Sequence, residues 1–215
     1  MLNPSLFNAD SALRNGLKLR YKNECFSVEN LLSFECQSMH DLINIVKYGL
    51  NNRKVATSKY NHLSSRSHSI LTLSLEAIDL LRPDDTTVSN FHLVDLAGSE
   101  RNSIYLNDLK FQKESIEINK SLFALRQVIL TNIEVQQGKP IYVPYRDSKL
   151  TSILKQSIGG KNYCLMIANM APHSQFFEDN LSTLHYSSKA STIKNRPEKN
   201  QDPKTNMIND LKVIH

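Results

Sequence analysis

The sequence predicts an α/β fold, a mainly central sheet with helices on both faces. Apolar, strand-like runs (Ser69 to Ile78, Val88 to Asp95, Tyr163 to Ala168) alternate with segments of helical period (Met39 to Leu50, Ile118 to Ile129, Phe177 to Leu184). The run His92-Leu93-Val94-Asp95 ends in a carboxylate and is followed at once by Leu96-Ala97-Gly98. A buried strand of this kind delivers Asp95 to the carboxyl edge of a sheet, where phosphates and Mg²⁺ are met. The 215 residues suffice for one sizeable core and are too few for two ordinary domains.

In chain order, Leu17 to Phe34 alternates loosely and predicts one or two short strands. Ser38 with Asp41 three residues on reads as a capping-box-like helix start. Met39, Leu42, Ile43, Val46 and Leu50 then share one helical face, and the helix is expected to end around Gly49. Ser69 to Ile78 sets Leu71, Leu73 and Leu75 on one face, Pro83-Asp84-Asp85 makes a turn, and Val88 to Asp95 returns, so the pair predicts a hairpin. Asn102 to Phe111 has no period and reads as a loop. Ile118, Leu122, Leu125 and Ile129 mark a long amphipathic helix. Asp147 or Ser148 caps the next helix, with Leu150, Ile153 and Leu154 inward and Gly159-Gly160 ending it. Tyr163 to Ala168 is expected as a buried central strand, and Phe177, Leu181 and Leu184 open a last helix towards Ile193.

Composition excludes several classes. With 40% hydrophobic and 22% charged residues the chain has an ordinary globular balance. No apolar run approaches the roughly 18 residues of a membrane span, and the N-terminus lacks a signal-peptide layout, so a cytosolic location is expected. Cys25, Cys36 and Cys164 lack C-x-x-C spacing and read as reduced, mostly buried small hydrophobes rather than a metal site. The net charge of +5 is uneven: ten Lys/Arg face six Asp/Glu between Glu100 and Lys161. Such a segment favours an acidic partner, and charge alone does not choose between nucleic acid and an acidic protein surface. Interleaved aromatics or a recognition motif for nucleic acid are lacking.

Four ordered motifs carry a resemblance. They are Asn61-His62-Leu63-Ser64-Ser65-Arg66-Ser67-His68, Leu93-Val94-Asp95-Leu96-Ala97-Gly98-Ser99-Glu100, Ile118-Asn119-Lys120-Ser121-Leu122 and Val143-Pro144-Tyr145-Arg146-Asp147-Ser148-Lys149-Leu150-Thr151. Together they resemble the kinesin motor domain, with the first two matching its switch I and switch II. The resemblance runs from near the start of the chain to about Asp202. It implies a P-loop NTPase-like motor fold, with a central mixed sheet flanked by helices, and residues 1–195 as a partial motor domain. Residues 196–215 form a tail; Asn195-Arg196-Pro197 and Asp202-Pro203 resemble the neck linker of plus-end-directed kinesins.

The resemblance also implies site residues. Ser64 and Ser65 would supply hydroxyls to Mg²⁺ and the γ-phosphate of ATP, with Asn61 near the same phosphate. Asp95 would hold Mg²⁺ through water, and the Gly98 N–H would sense the γ-phosphate. Arg66 and Glu100 would pair to close switch I on switch II and help order the attacking water. Lys120, Arg146 and Lys149 would contact the microtubule. Lys18 and Lys22 lie outside the basic segment, and reversing their charge is expected to do little.

Two departures qualify the match. None of the six glycines opens a G-x-x-x-x-G-K-S/T phosphate loop, so this chain is not expected to hydrolyse ATP alone. The sheet is accordingly expected to be incomplete on its N-terminal side, leaving an unpaired apolar edge. The stretch Ile104 to Gln112 has also lost both glycines, and most of the charge, that the family places there. The implied function is an ATP-dependent microtubule motor, with a non-catalytic microtubule-binding remnant as the alternative. Dimerisation would use sequence beyond the C-terminus.

Overall fold

The computed structural model describes residues 17–22, 24–55, 67–78, 80–81, 86–98 and 109–198. Strands β1 (Leu19–Lys22) and β2 (Cys25–Val28) pair antiparallel as a small hairpin, as the alternation in Leu17 to Phe34 predicts. Glu24 makes the turn at a φ of 62°, a left-handed value uncommon for a residue with a Cβ.

Helix α1 (Met39–Val55) opens as Ser38 and Asp41 predict. The Asp41 amide donates to Ser38 Oγ at 3.2 Å, and that hydroxyl donates to the Asp41 carboxylate at 2.7 Å. The hydrogen bond from Ser38 holds the Asp41 carboxyl below its ordinary pKa. The helix does not stop at Gly49 but runs six residues further. A Cβ there would meet nothing within 4 Å, so Gly49 sits on an open surface and costs only propensity. The half-buried side carries Leu42, Ile45 and Val46, while Met39, Ile43 and Leu50 are exposed, a rotation from the expected face.

Strands β3 (Ser69–Ile78) and β4 (Thr86–Asp95) form the predicted hairpin, in a register that sets Ser69 opposite Asp95 and Ile78 opposite Thr86. Helix α2 (Leu109–Gln136) is the longest element and starts nine residues before Ile118, inside the stretch read as a loop. Lys110, Gln112, Lys113 and Glu114 are good helix formers without an apolar stripe, so periodicity alone misses them. The rest of that loop, residues 102–108, lies outside the described residues.

The core is small and centred on α2. Leu125 and Ile129 of α2 meet Leu150, and Leu96, Ile133, Leu154, Ile158, Tyr186, Ala190 and Ile193 pack around them. Leu150 belongs to the short helix α3 (Lys149–Ile153), which Ser148 starts with a reciprocal capping box to Thr151; Asp147 lies in the preceding 3₁₀ turn. Tyr186 and Ala190 come from helix α4 (Phe177–Ala190). Its first apolar residues, Phe177, Leu181 and Leu184, are exposed.

A polar network joins these pieces. Asn132, buried on α2, donates to Val128 O and to the Tyr145 hydroxyl, both at 2.9 Å; that hydroxyl in turn donates to Ile158 O at 2.6 Å. Burial lifts the Tyr145 pKa, against a lowering contribution from the Asn132 bond. Asn195 ties the chain after α4 into the same corner, accepting from the Gly159 N–H and donating to Ser157 O and Asn162 O.

Three expectations are overturned. Tyr163 to Ala168 forms no strand and is exposed, Tyr163 at 90% and Leu165 at 86%. Its apolar side chains read as buried, but no described strand lies beside it to supply a ladder. For the same reason Leu75, Phe91 and Leu93 on the β3–β4 hairpin face outward. The cysteines are free and exposed rather than buried. Among the described residues no helix is long and apolar enough to cross a membrane.

Candidate functional site

The candidate site lies at the end of β4. Ser69 and Asp95 lie 26 positions apart in sequence, yet the hairpin register returns β4 to the start of β3, so Asp95 lies across from Ser69. Arg53, from the last turn of α1, reaches this junction. Its Nη1 lies 2.6 Å from Asp95 Oδ2, and its Nη2 donates to Ser67 O at 2.8 Å. The continuation of α1 beyond Gly49 is what delivers this guanidinium. The Arg53 side chain is largely covered while that of Asp95 is 67% exposed, so the carboxylate is held from one side and open on the other.

An exposed carboxylate at a strand end is a hard oxygen donor of the kind Mg²⁺ takes. Among the described residues no group of three or more His, Cys, Asp or Glu gathers. An ion here would take Asp95 with water and phosphate oxygens, the coordination Mg²⁺ favours. Asp95 fits that demand. Gly98 follows three residues later and is half-buried. Asn61, Ser64, Ser65, Arg66 and Glu100 lie outside the described residues.

Behind Asp95 the backbone is tied to α2. The Ala97 N–H donates to His68 Nδ1 at 3.0 Å, and His68 Nε2 lies 2.7 Å from Ser121 Oγ. Desolvation lowers the His68 pKa, which favours the neutral ring. The sequence patterns single out neither this bridge nor Arg53. A signal for His68 existed in its place directly before β3. Nothing in the local pattern marks Arg53, because its partner is 42 residues away.

The basic face is also assembled by tertiary contacts. Lys120, Arg146 and Lys149 are all exposed, and among the described residues no carboxylate pairs with them. Lys139 and Lys161, by contrast, are paired with Glu134 and Glu198. The β1–β2 hairpin docks on this face: Arg146 lies 5.3 Å and Lys155 4.8 Å from the Tyr21 ring centroid, and Lys155 donates to the Tyr21 hydroxyl at 2.9 Å. Lys18 and Lys22 flank that hairpin. Cation–π contacts at Tyr21 bring their hairpin against the basic segment, although the two lysines lie outside it in sequence.

Comparison with known proteins places the arrangement. The family model of the kinesin motor domain matches residues 3–193. The chain is 38% identical over 187 residues to the kinesin-like protein Klp68D of Drosophila melanogaster, covering 87% of this chain and 23% of that protein. It is 42% identical over 172 residues to the human chromosome-associated kinesin KIF4A, covering 80% of this chain and 14% of that protein. A solved structure of a KIF14 dimer with AMP-PNP, in complex with a microtubule, superposes with a TM-score of 0.80 at 36% identity, covering 91% of this chain and 55% of that one. A fast kinesin gives a TM-score of 0.75 at 35% identity. The chain thus spans under a quarter of the length of these curated relatives and about half of the solved motor domains. A family match over nearly the whole chain, with the β3–β4 hairpin and the long helix α2 in place, identifies this protein as a member of the kinesin motor domain family.

Proposed function

We propose that the chain is the switch and track-binding portion of a kinesin-type microtubule motor, which couples ATP hydrolysis to movement along microtubules in the cytoplasm. The observation that carries this reading is one connected path. Asp95 at the end of β4 adjoins Ala97, Ala97 is bonded to His68, and His68 to Ser121 of α2, next to the exposed Lys120. A change at the phosphate side of such a path has a mechanical route to the basic face.

In this reading Asn61, Ser64, Ser65, Asp95 and Gly98 surround the nucleotide phosphates, and Ser65 and Asp95 hold the metal. Mg²⁺, when bound, neutralises phosphate charge. Arg53 orients Asp95 from the protein side, and Arg66 with Glu100 closes the two switches. Lys120, Arg146 and Lys149 meet the acidic surface of tubulin. Residues 196–215 act as the neck-linker-like tail. The microtubule-bound relative supports the choice of partner.

The absence of a G-x-x-x-x-G-K-S/T loop in these 215 residues favours a second reading, a non-catalytic microtubule binder. Co-sedimentation with microtubules at rising salt tests the shared part. Binding should weaken as salt screens the contacts, and Lys120→Glu or Lys149→Glu should weaken it about fivefold or more. Tighter binding to RNA at equal salt would overturn both readings. Phosphate release then separates them: with a relative's phosphate-loop half fused to this chain, microtubule-stimulated turnover would exclude the binder, and none would exclude the motor.

A further inference from the structure

Ala97 is buried, and its N–H points at an imidazole rather than at a backbone carbonyl. This settles the ring's protonation by geometry. A backbone N–H can only donate, so His68 Nδ1 must be the bare nitrogen that accepts it. The neutral ring then carries its hydrogen on Nε2, which donates to Ser121 Oγ at 2.7 Å. His68 thus joins residues 29 and 53 positions away in sequence, on two elements that share no strand or helix.

The bridge has an apolar companion. Leu96, immediately before Ala97, packs against the cluster of Leu125 and Ile129. Ser121, Leu125, Val128, Ile129 and Asn132 follow one another down the inward stripe of α2, at the spacings of a single helical face. The end of β4 therefore meets α2 at two points. Leu96 can slide on Leu125 because dispersion contacts are non-directional, whereas the His68 bond has a fixed direction and length. A non-directional contact holds the two elements together without fixing their register. The directional one sets it.

We propose that His68 is a positioning residue that couples the Asp95 end of β4 to helix α2, its ring holding the Ala97 N–H on one nitrogen and Ser121 on the other. The inference rests on the motor reading for its purpose, since coupling matters if Asp95 faces the phosphates and α2 faces the track. The ring does not touch the reacting groups. It transmits position between them.

The two ring nitrogens can be separated by substitution. The Asn side chain ends near the place of Nδ1, so His68→Asn keeps an acceptor for Ala97 and loses reach to Ser121. Gln extends to the place of Nε2, so His68→Gln keeps a donor to Ser121 and leaves Ala97 without its acceptor. Amide hydrogen exchange in the free chain, with ¹⁵N shifts of the His68 ring, reads each half. The ring should show hydrogen on Nε2 and a bare Nδ1. Ser121→Ala, although Ser121 does not touch Ala97, should speed exchange of the Ala97 amide about fivefold, the scale of one neutral hydrogen bond. His68→Gln should speed it at least as much, and His68→Asn, which keeps the Ala97 acceptor but loses Ser121, should match Ser121→Ala. A Thr72→Val control, which removes the cross-strand bond to His92, should leave Ala97 unchanged.

With microtubules added, wild-type Ala97 exchange should slow, and Ser121→Ala should abolish that response. A hydrogen on Nδ1, or Ala97 exchange indifferent to Ser121→Ala, would overturn the proposal. Failure of the chain to bind microtubules would instead sink the motor reading, while the free-chain exchange still decides the role of the ring.

Discussion

Replacing Gly159 by Ala tests the corner where α2, the Tyr145 turn and the chain after α4 meet. Gly159 has a φ of 77°, and a Cβ there would run into the Asn132 amide, with Cγ at 2.9 Å. Two costs follow. The left-handed backbone costs an Ala about 1–2 kcal/mol. Displacing the buried Asn132 strands its amide and disturbs the Tyr145 hydroxyl, about 1–3 kcal/mol more. Gly138 separates them, because its φ of 92° carries the backbone cost while nothing lies within 4 Å of its Cβ position. Urea unfolding followed by circular dichroism should therefore place Gly159→Ala below Gly138→Ala by about 1–3 kcal/mol. For a chain of this size each kcal/mol lowers the melting temperature by about 2–4 °C. A double-mutant cycle sharpens the test: in an Asn132→Ala background, Gly159→Ala should cost only the backbone part. If it costs the same in both backgrounds, the close approach to Asn132 does not exist in solution and the description of this corner is wrong.

Other outcomes follow from single contacts. Gly49→Ala, on the open surface of α1, should stabilise the chain by about 1 kcal/mol, read by the same unfolding. Arg53→Ala should cost about 1–2 kcal/mol in stability, since Asp95 is mostly exposed and the bonds to Ser67 O and Oγ are charge-assisted but partly solvated; a loss above about 4 kcal/mol would make Arg53 a core residue instead of a clamp. Burial lowers the pKa values of His68 and His92, so the unfolded chain takes up protons first as pH falls. Stability should be level above the ordinary value of 6.5 and decline below it, by up to about 1.4 kcal/mol per pH unit for each ring, until the lowered folded values are passed. His68→Asn should remove one share of that slope in pH-dependent urea midpoints. A slope unchanged by His68→Asn would assign the effect elsewhere.

Local signals determined the parts of this protein whose causes are local. The alternation in Ser69 to Ile78 and Val88 to Asp95, with a turn between, specifies a hairpin and puts Asp95 at a strand end; Ser38 with Asp41 and Ser148 with Thr151 specify helix starts through bonds spanning three residues. The four motifs likewise name a family, since each is a contiguous string. Tertiary structure decided what depends on a distant neighbour. Whether Tyr163 to Ala168 becomes a strand depends on another strand beside it, because a β-ladder needs partners that its own residues cannot provide. Whether α1 ends at Gly49 depends on Arg53 finding Asp95 and Ser67, which offsets the weak propensity of one glycine. The cysteines look like core residues by type, yet burial belongs to the neighbours and not to the residue. His68 is the sharpest case: its chemistry is visible in the sequence, but its function is set by two partners, 29 and 53 residues away, that only the folded chain brings to its two nitrogens.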